Sequence, residues 1–283
     1  MRKIDFSRLM DLRVDYAFKL LFSRGEQRLL ISLLNAVFES AGILRVIMEL
    51  ELIDPHLEKR SEDDKGSIID MFARLDDGSL VLIEMHLYGI YNFKYKAVRS
   101  WARAYGTALT KGSKYSDQMP VICVSFVNGS VDGSDKIHKC CKILDIEDYT
   151  VFSDALELHF VNMKAFIKAV NAADGGQLET LLEKWLALIT EKDIFDKDVV
   201  QRAIEEVEEI SMALSTLTEL SMSKLEWLAY QRRQDDIMSH AEEIAEKDMV
   251  IAEHEATIAE KDTALAEKDK KIIELLLRLG ELE

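Results

Sequence analysis

Leu29, Leu30, Leu33, Leu34, Val37 and Phe38 recur at the spacing of one helix face, which predicts an amphipathic helix over residues 25–41 with this stripe in the core. A second amphipathic helix is expected over 8–23, with Gly25 separating the two and Gly42 following as a C-cap. The pattern then changes. Ile43 to Leu52 is almost continuously apolar, interrupted by Glu49 and Glu51, and suits a strand covered on both faces that ends at Asp54-Pro55. Lys65 to Leu87 reads as two short apolar strands joined at Asp76-Asp77-Gly78, a strong hairpin signal. Residues 90–111 predict a helix whose stripe Phe93, Val98, Trp101, Ala104, Tyr105 and Leu109 faces the sheet. Val121 to Val127 reads as a buried strand, and Leu156 to Met163 as the last strand.

From about Met163 onward the chain has no proline and reads as helix. Leu178 to Ile189 carries a strong apolar stripe that includes Trp185, and the segments around Val199–Ile210 and Leu214–Tyr230 complete a small helical bundle. The last stretch is a heptad repeat, with Ile244, Ile251, Ile258, Leu265 and Ile272 every seven residues. Its other seam position is charged: Asp248, Glu255, Asp262 and Asp269 in one phase, Lys247, His254, Lys261 and Lys268 in the other. A stable coiled coil needs both rows apolar. The expectation is a long solitary or weakly paired helix, suited to reach or to homo-oligomerisation. Three regions result: 1–162, 163–234 and 235–283. The first is α/β, a mixed sheet with helices on its faces.

The central hairpin carries an acid in each strand where an apolar residue is expected. If the turn is a three-residue loop with Gly78 left-handed, Leu75 pairs with Ser79 and Asp70 lies directly opposite Glu84. Cβ atoms there are roughly 4.5–5.5 Å apart, and like charges so placed are destabilising. His86 shares the face of Glu84. A divalent cation is the simplest way to neutralise two such carboxylates. A two-residue loop at Asp77-Gly78 would instead send the two acids to opposite faces. On spacing alone a solvated edge and a metal site stand level.

The net charge of −16 over 283 residues argues against nucleic acid as a partner until it is divided along the chain. Residues 1–160 hold 21 basic and 24 acidic residues, the remainder 15 and 28. Between Tyr88 and Ser116 stand Lys94, Lys96, Arg99, Arg103, Lys111 and Lys114 with no acid, a local cationic surface of the kind phosphate binding needs. Lys96, Arg99 and Arg103 share one helix face. No apolar run reaches the ~18 residues of a membrane span. The N-terminus has acids where a signal peptide would be apolar, so the expected location is the cytoplasm. Three cysteines, two of them adjacent, make neither a disulfide framework nor a spaced zinc site. His56, His138 and His159 are isolated and carry no assigned role.

Lys65-x4-Asp70 followed by Glu84-x-His86 resembles the signature of the PD-(D/E)XK nucleases. Asp15-x-x-Phe18-Lys19, Leu33-Leu34-Asn35, Ile83 to His86, Tyr105, Lys111-Gly112-x-x-Tyr115 and the strand after Pro120 extend the likeness over roughly residues 10–130. They resemble, more narrowly, the bacterial recombination-promoting nucleases, or transposase-like proteins, of that superfamily. The resemblance implies a DNA endonuclease using Mg2+ or Mn2+, with Asp70, Glu84 and the Met85 backbone carbonyl as ligands. Lys96, Arg99, Arg103 and Lys111 would meet the DNA backbone, and Asp15, Lys19, Lys65 and Glu49 are accessory candidates. His86 stands where the superfamily has Lys and this family Gln. The alternative reading is a catalytically weak nuclease fold acting as an interaction module through its helical tail.

Overall fold

The computed structural model describes residues 4–54, 56–57, 67–68, 70–87, 92–107, 112, 114–173 and 177–280. Six strands form one mixed sheet in the order β1-β4-β5-β6-β8-β7. They are β1 (Leu50–Ile53), β4 (Met71–Leu75), β5 (Leu80–His86), β6 (Val121–Val127), β7 (His138–Leu144) and β8 (Val151–Asn162). A separate antiparallel pair joins β2 (His56–Leu57) to β3 (Ser67–Ile68). β5, β6 and β8 run parallel to one another in the middle, with antiparallel neighbours outside. All seven residues of β6 are buried, as a central parallel strand requires. On one face α3 (Phe93–Thr107) covers Phe72, Leu82, Cys123, Val127, Leu158 and Phe160. On the other, Phe18 of α1 (Asp15–Arg24) meets Phe126, and Phe38 of α2 (Gln27–Ser40) meets His159.

Of the helices α4 (Met163–Ala172), α5 (Leu181–Ile189), α6 (Lys197–Glu206) and α7 (Glu208–Met222), α5 and α7 pack on α1 and α2, α6 packs on α5 and α7, and α4 on α5 and β6. Trp185 of α5, fully buried, stacks obliquely on Phe22 and donates its Nε1–H to Ser32 Oγ at 3.1 Å. With the first turns of α8 (Lys224–Gly280) they complete a compact unit ending at Gln234. Residues 235–283 form a second unit, helical through Gly280. In it Ile244, Ile251, Ile258, Leu265 and Ile272 are each 42–57% exposed.

The mixed sheet flanked by helices agrees with the expected architecture, but three elements differ. The first helix begins at Asp15, because residues 6–14 form a 3-10 turn and a second turn closed by Val14 N–H to Asp11 O, with Leu9, Met10, Leu12 and Val14 buried. The strand expected over 43–52 is only Leu50–Ile53, and it lies at the sheet edge. Upstream, Leu44, Val46 and Met48 are exposed, while Ile47 is held by Asn35, whose side chain pairs with both its N–H (2.8 Å) and its C=O (3.0 Å). One amide replaces a strand partner there. Finally, β7 escaped the sequence reading. Its alternating His, Lys and Cys residues resemble a loop until β8 pairs with them.

β7 and β8 place a polar cluster against α2. His159, fully buried, contacts Glu157 (2.8 Å) and His138 (3.0 Å); His138 contacts Ser40 (3.1 Å), and Glu157 pairs with Lys142 (3.0 Å). Burial, reinforced by His159, pushes His138 down to about 4. A histidine depressed in the folded state stabilises fully above the unfolded value near 6.5 and progressively less as pH falls towards 4. Glu157, which burial would raise, is held at about 2 by His159 and Lys142, so its contribution also fades below pH 4.5. Thermal unfolding between pH 7 and 4 is expected to show a falling midpoint, and His138→Gln should flatten that fall.

Candidate active site

The hairpin turn sets the site. Leu75 N–H donates to Ser79 O and Gly78 N–H to Leu75 O, both at 2.9 Å, which closes a three-residue loop over 76–78. Gly78 has φ +84°, and a Cβ there would meet the Met119 methyl at 2.5 Å, so no other residue fits without strain. The ladder then runs from Arg74↔Leu80 to Met71↔Ile83. Its next step sets Asp70 against Glu84, the register of the three-residue loop. Asp70 lies just outside β4, and its carboxylate accepts the Met85 N–H at 2.7 Å.

Glu84 sits near the end of β5, 5% exposed, on the face that α3 covers. Its Oε2 meets His86 Nε2 at 2.8 Å and lies 3.6 Å from Lys96 Nζ, while Oε1 accepts from Ser100 Oγ at 3.2 Å. The same His86 nitrogen lies 3.3 Å from Lys96 Nζ, so Glu84, His86 and Lys96 form one contact cluster. His86 also packs against Phe93 (4.4 Å between ring centroids), and the Lys96 ammonium stands over the same ring.

The two acids differ in charge environment. Burial pushes the Asp70 carboxyl up to about 6; the Met85 N–H and His86 pull it down, while Asp15 and Glu84 push it further up. Burial would raise Glu84 as well, but His86, Lys96 and Ser100 hold it below the usual glutamate range. Asp70 is thus a half-buried carboxylate short of positive charge beside a second acid that has it. Hard oxygen donors of this kind suit Mg2+ or Mn2+, which bind through one or two carboxylates and keep several waters. Among the described residues no group of three or more His, Cys, Asp or Glu is arranged to hold a metal. The side chains here offer two.

The remaining candidates separate. Asp15 lies near enough to Asp70 to repel it, and is itself paired with Arg233. Lys19 is half-buried one turn on, and among the described residues no hydrogen bond or ion pair joins it to Asp70 or Glu84. Glu49 is excluded by register. Leu50 pairs with Leu75, so Glu49 stands at the turn end of the hairpin, about 20 Å of strand from Asp70. Arg99 is exposed and Arg103 half-buried on α3, and both already take part in other contacts. Lys65 and Lys111 lie outside the described residues, as does the charged stretch 58–64. Lys96, expected at the DNA backbone, is instead drawn to Glu84. Ser100 was missed because the sheet-facing stripe of α3 is Phe93, Ala97, Ser100 and Ala104, with Val98 exposed. Small residues there let α3 approach β6 and β8 closely, a feature that an aromatic-weighted stripe conceals.

Against known proteins, the sequence model described as PD-(D/E)XK nuclease family transposase matches residues 12–247. The chain belongs to that family. The match runs past the sheet and includes α4 to α7 and the start of α8, so the helical part is as much a family feature as the hairpin. No curated protein and no solved structure matches the chain. Family membership brings a nuclease or mobile-element role. No helix among the described residues is long and apolar enough to cross a membrane.

Proposed function

We propose that this family member is a divalent-cation-dependent DNA endonuclease of low sequence specificity, working in the cytoplasm in recombination or mobile-element biology. The observation that carries the reading is the register that faces Asp70 with Glu84 while Lys96 reaches the same carboxylate from α3. Asp70, Glu84 and the Met85 carbonyl would hold the cation. A bound Mg2+ or Mn2+ would supply Lewis acidity at the scissile phosphate. His86 orients Glu84 through its Nε2 contact, and Lys96 brings a positive charge to the place where charge develops on the phosphate. The signature lysine is thus supplied from α3 in space, with His86 at its position in sequence. Supercoiled plasmid incubated with the full chain should be cleaved with Mg2+ or Mn2+ and left intact in EDTA. His86 at the third position favours one other reading, an inactive nuclease fold serving as an interaction module. Intact plasmid under all metal conditions would establish that one.

Arg99 and Arg103 remain the residues for backbone contact. Each phosphate contact contributes about 0.9 to the slope of log K against log salt on duplex DNA. Replacing both by Gln should flatten that slope by somewhat under 2 and weaken binding alike on unrelated sequences. An unchanged slope would make this helix face merely solvated.

A further inference from the structure

Arg233, in the third turn of α8, reaches back 218 positions to Asp15. Its Nε lies 2.7 Å from Oδ1 and its Nη2 2.5 Å from Oδ2, a two-pronged grip that fixes the plane of the carboxylate. The same helix has other anchors. Tyr230 Oη accepts the Asp11 N–H at 3.1 Å, and Tyr16 Oη donates to Glu226 at 2.6 Å. The grip on Asp15 is therefore not needed merely to seat α8. What distinguishes Asp15 is its place. It opens α1, which packs on β5, and its charge is felt at Asp70. Asp15 thus stands on the helix behind the strand that carries Glu84, yet it forms no three-acid cluster with Asp70 and Glu84.

Resting on the nuclease reading, we propose that Arg233 is a positioning residue of the site: its guanidinium holds the Asp15 carboxylate away from the cation that Asp70 and Glu84 bind. Released, Asp15 becomes a third acidic ligand. A third carboxylate tightens the site for the ion, and an over-tight site exchanges it slowly, so the grip keeps the cation labile. Lysine would retain the charge but lose the fork.

Mn2+ binding to the full chain without DNA, followed by the loss of the free-ion electron paramagnetic resonance signal, tests this independently of cleavage. Arg233→Gln should tighten binding roughly three- to tenfold, given one carboxylate brought to a divalent ion in a screened, half-buried site. Arg233→Lys should show part of that gain. In an Asp15→Asn background, Arg233→Gln should change affinity by much less. Tyr230→Phe, which loosens the seat of α8 without touching Asp15, should leave affinity unchanged. An Arg233→Gln affinity equal to or weaker than that of the unaltered protein overturns the proposal, as does an equal gain in the Asp15→Asn background. Asp70→Asn separates the two levels. If it binds Mn2+ as well as the unaltered protein, the two-carboxylate site itself is wrong. If binding is lost in Asp70→Asn while Arg233→Gln is inert, only the role of Arg233 falls. No Mn2+ binding by the unaltered protein overturns both.

Discussion

Alanine at Asp70 or at Glu84 is expected to abolish metal-dependent plasmid cleavage, with a loss on the order of a thousandfold or more for either substitution. Each acid would contribute one of the two proposed carboxylate ligands, and a single remaining one would leave the ion underligated. Lys96→Ala should reduce cleavage strongly while leaving Mn2+ binding in place, because Lys96 meets Glu84 and not the cation. The metal-free protein offers a second readout with a defined sign. The Asp70 carboxyl is raised to about 6, above its unfolded value near 3.8. Its ionisation therefore costs nothing below pH 3.8 and its full penalty above about pH 6. In EDTA, Asp70→Asn should unfold at a higher temperature than the unaltered protein at pH 7–8, and the advantage should vanish near pH 4. Cleavage surviving either alanine, or an Asp70→Asn gain that ignores pH, contradicts the site described.

Truncation separates a functional unit from a broken one within about a dozen residues. A chain ending at Gln234 should fold and retain cleavage, with self-association reduced. A chain ending at Met222 should lose about 3–5 kcal/mol of stability, a fall of roughly 10 °C in unfolding midpoint for a unit of this size. The segment between supplies Tyr230, which is 4% exposed and satisfies the Asp11 N–H. It also supplies the Glu226 partner of Tyr16 and the Arg233 partner of Asp15. Removing it leaves a backbone donor without its acceptor, costing about 1–3 kcal/mol, along with the lost apolar burial. Equal midpoints for the two chains would show that α8 contributes nothing to the nuclease unit. Loss of cleavage in the folded longer chain would place part of the active assembly beyond residue 234.

The sequence by itself determined whatever is encoded over a few neighbouring residues. Asp76-Asp77-Gly78 announces a hairpin but leaves two- and three-residue loops open, and it is the structure's three-residue loop whose ladder, continued one step past Met71↔Ile83, sets Asp70 opposite Glu84. The stripe of α2 and the unbroken apolar run of β6 are equally local signals, and both elements lie where the pattern puts them. What the tertiary structure alone decided is how polar groups find partners far along the chain. Ile43 to Met48 is apolar enough for a central strand, yet no strand among the described residues pairs with it, because the Asn35 side chain already takes both backbone groups of Ile47. β7 is a strand only because β8 satisfies its backbone. Lys96 had a face on a helix and no destination until α3 lay across β5, where an uncompensated Glu84 drew the ammonium inward. Arg233 is further still from legibility, since hydrophobic periodicity cannot report a charge pair across 218 residues. Local pattern follows from covalent proximity and burial, whereas ion pairs follow from which charges desolvation leaves uncompensated, and that is settled only once the elements have packed.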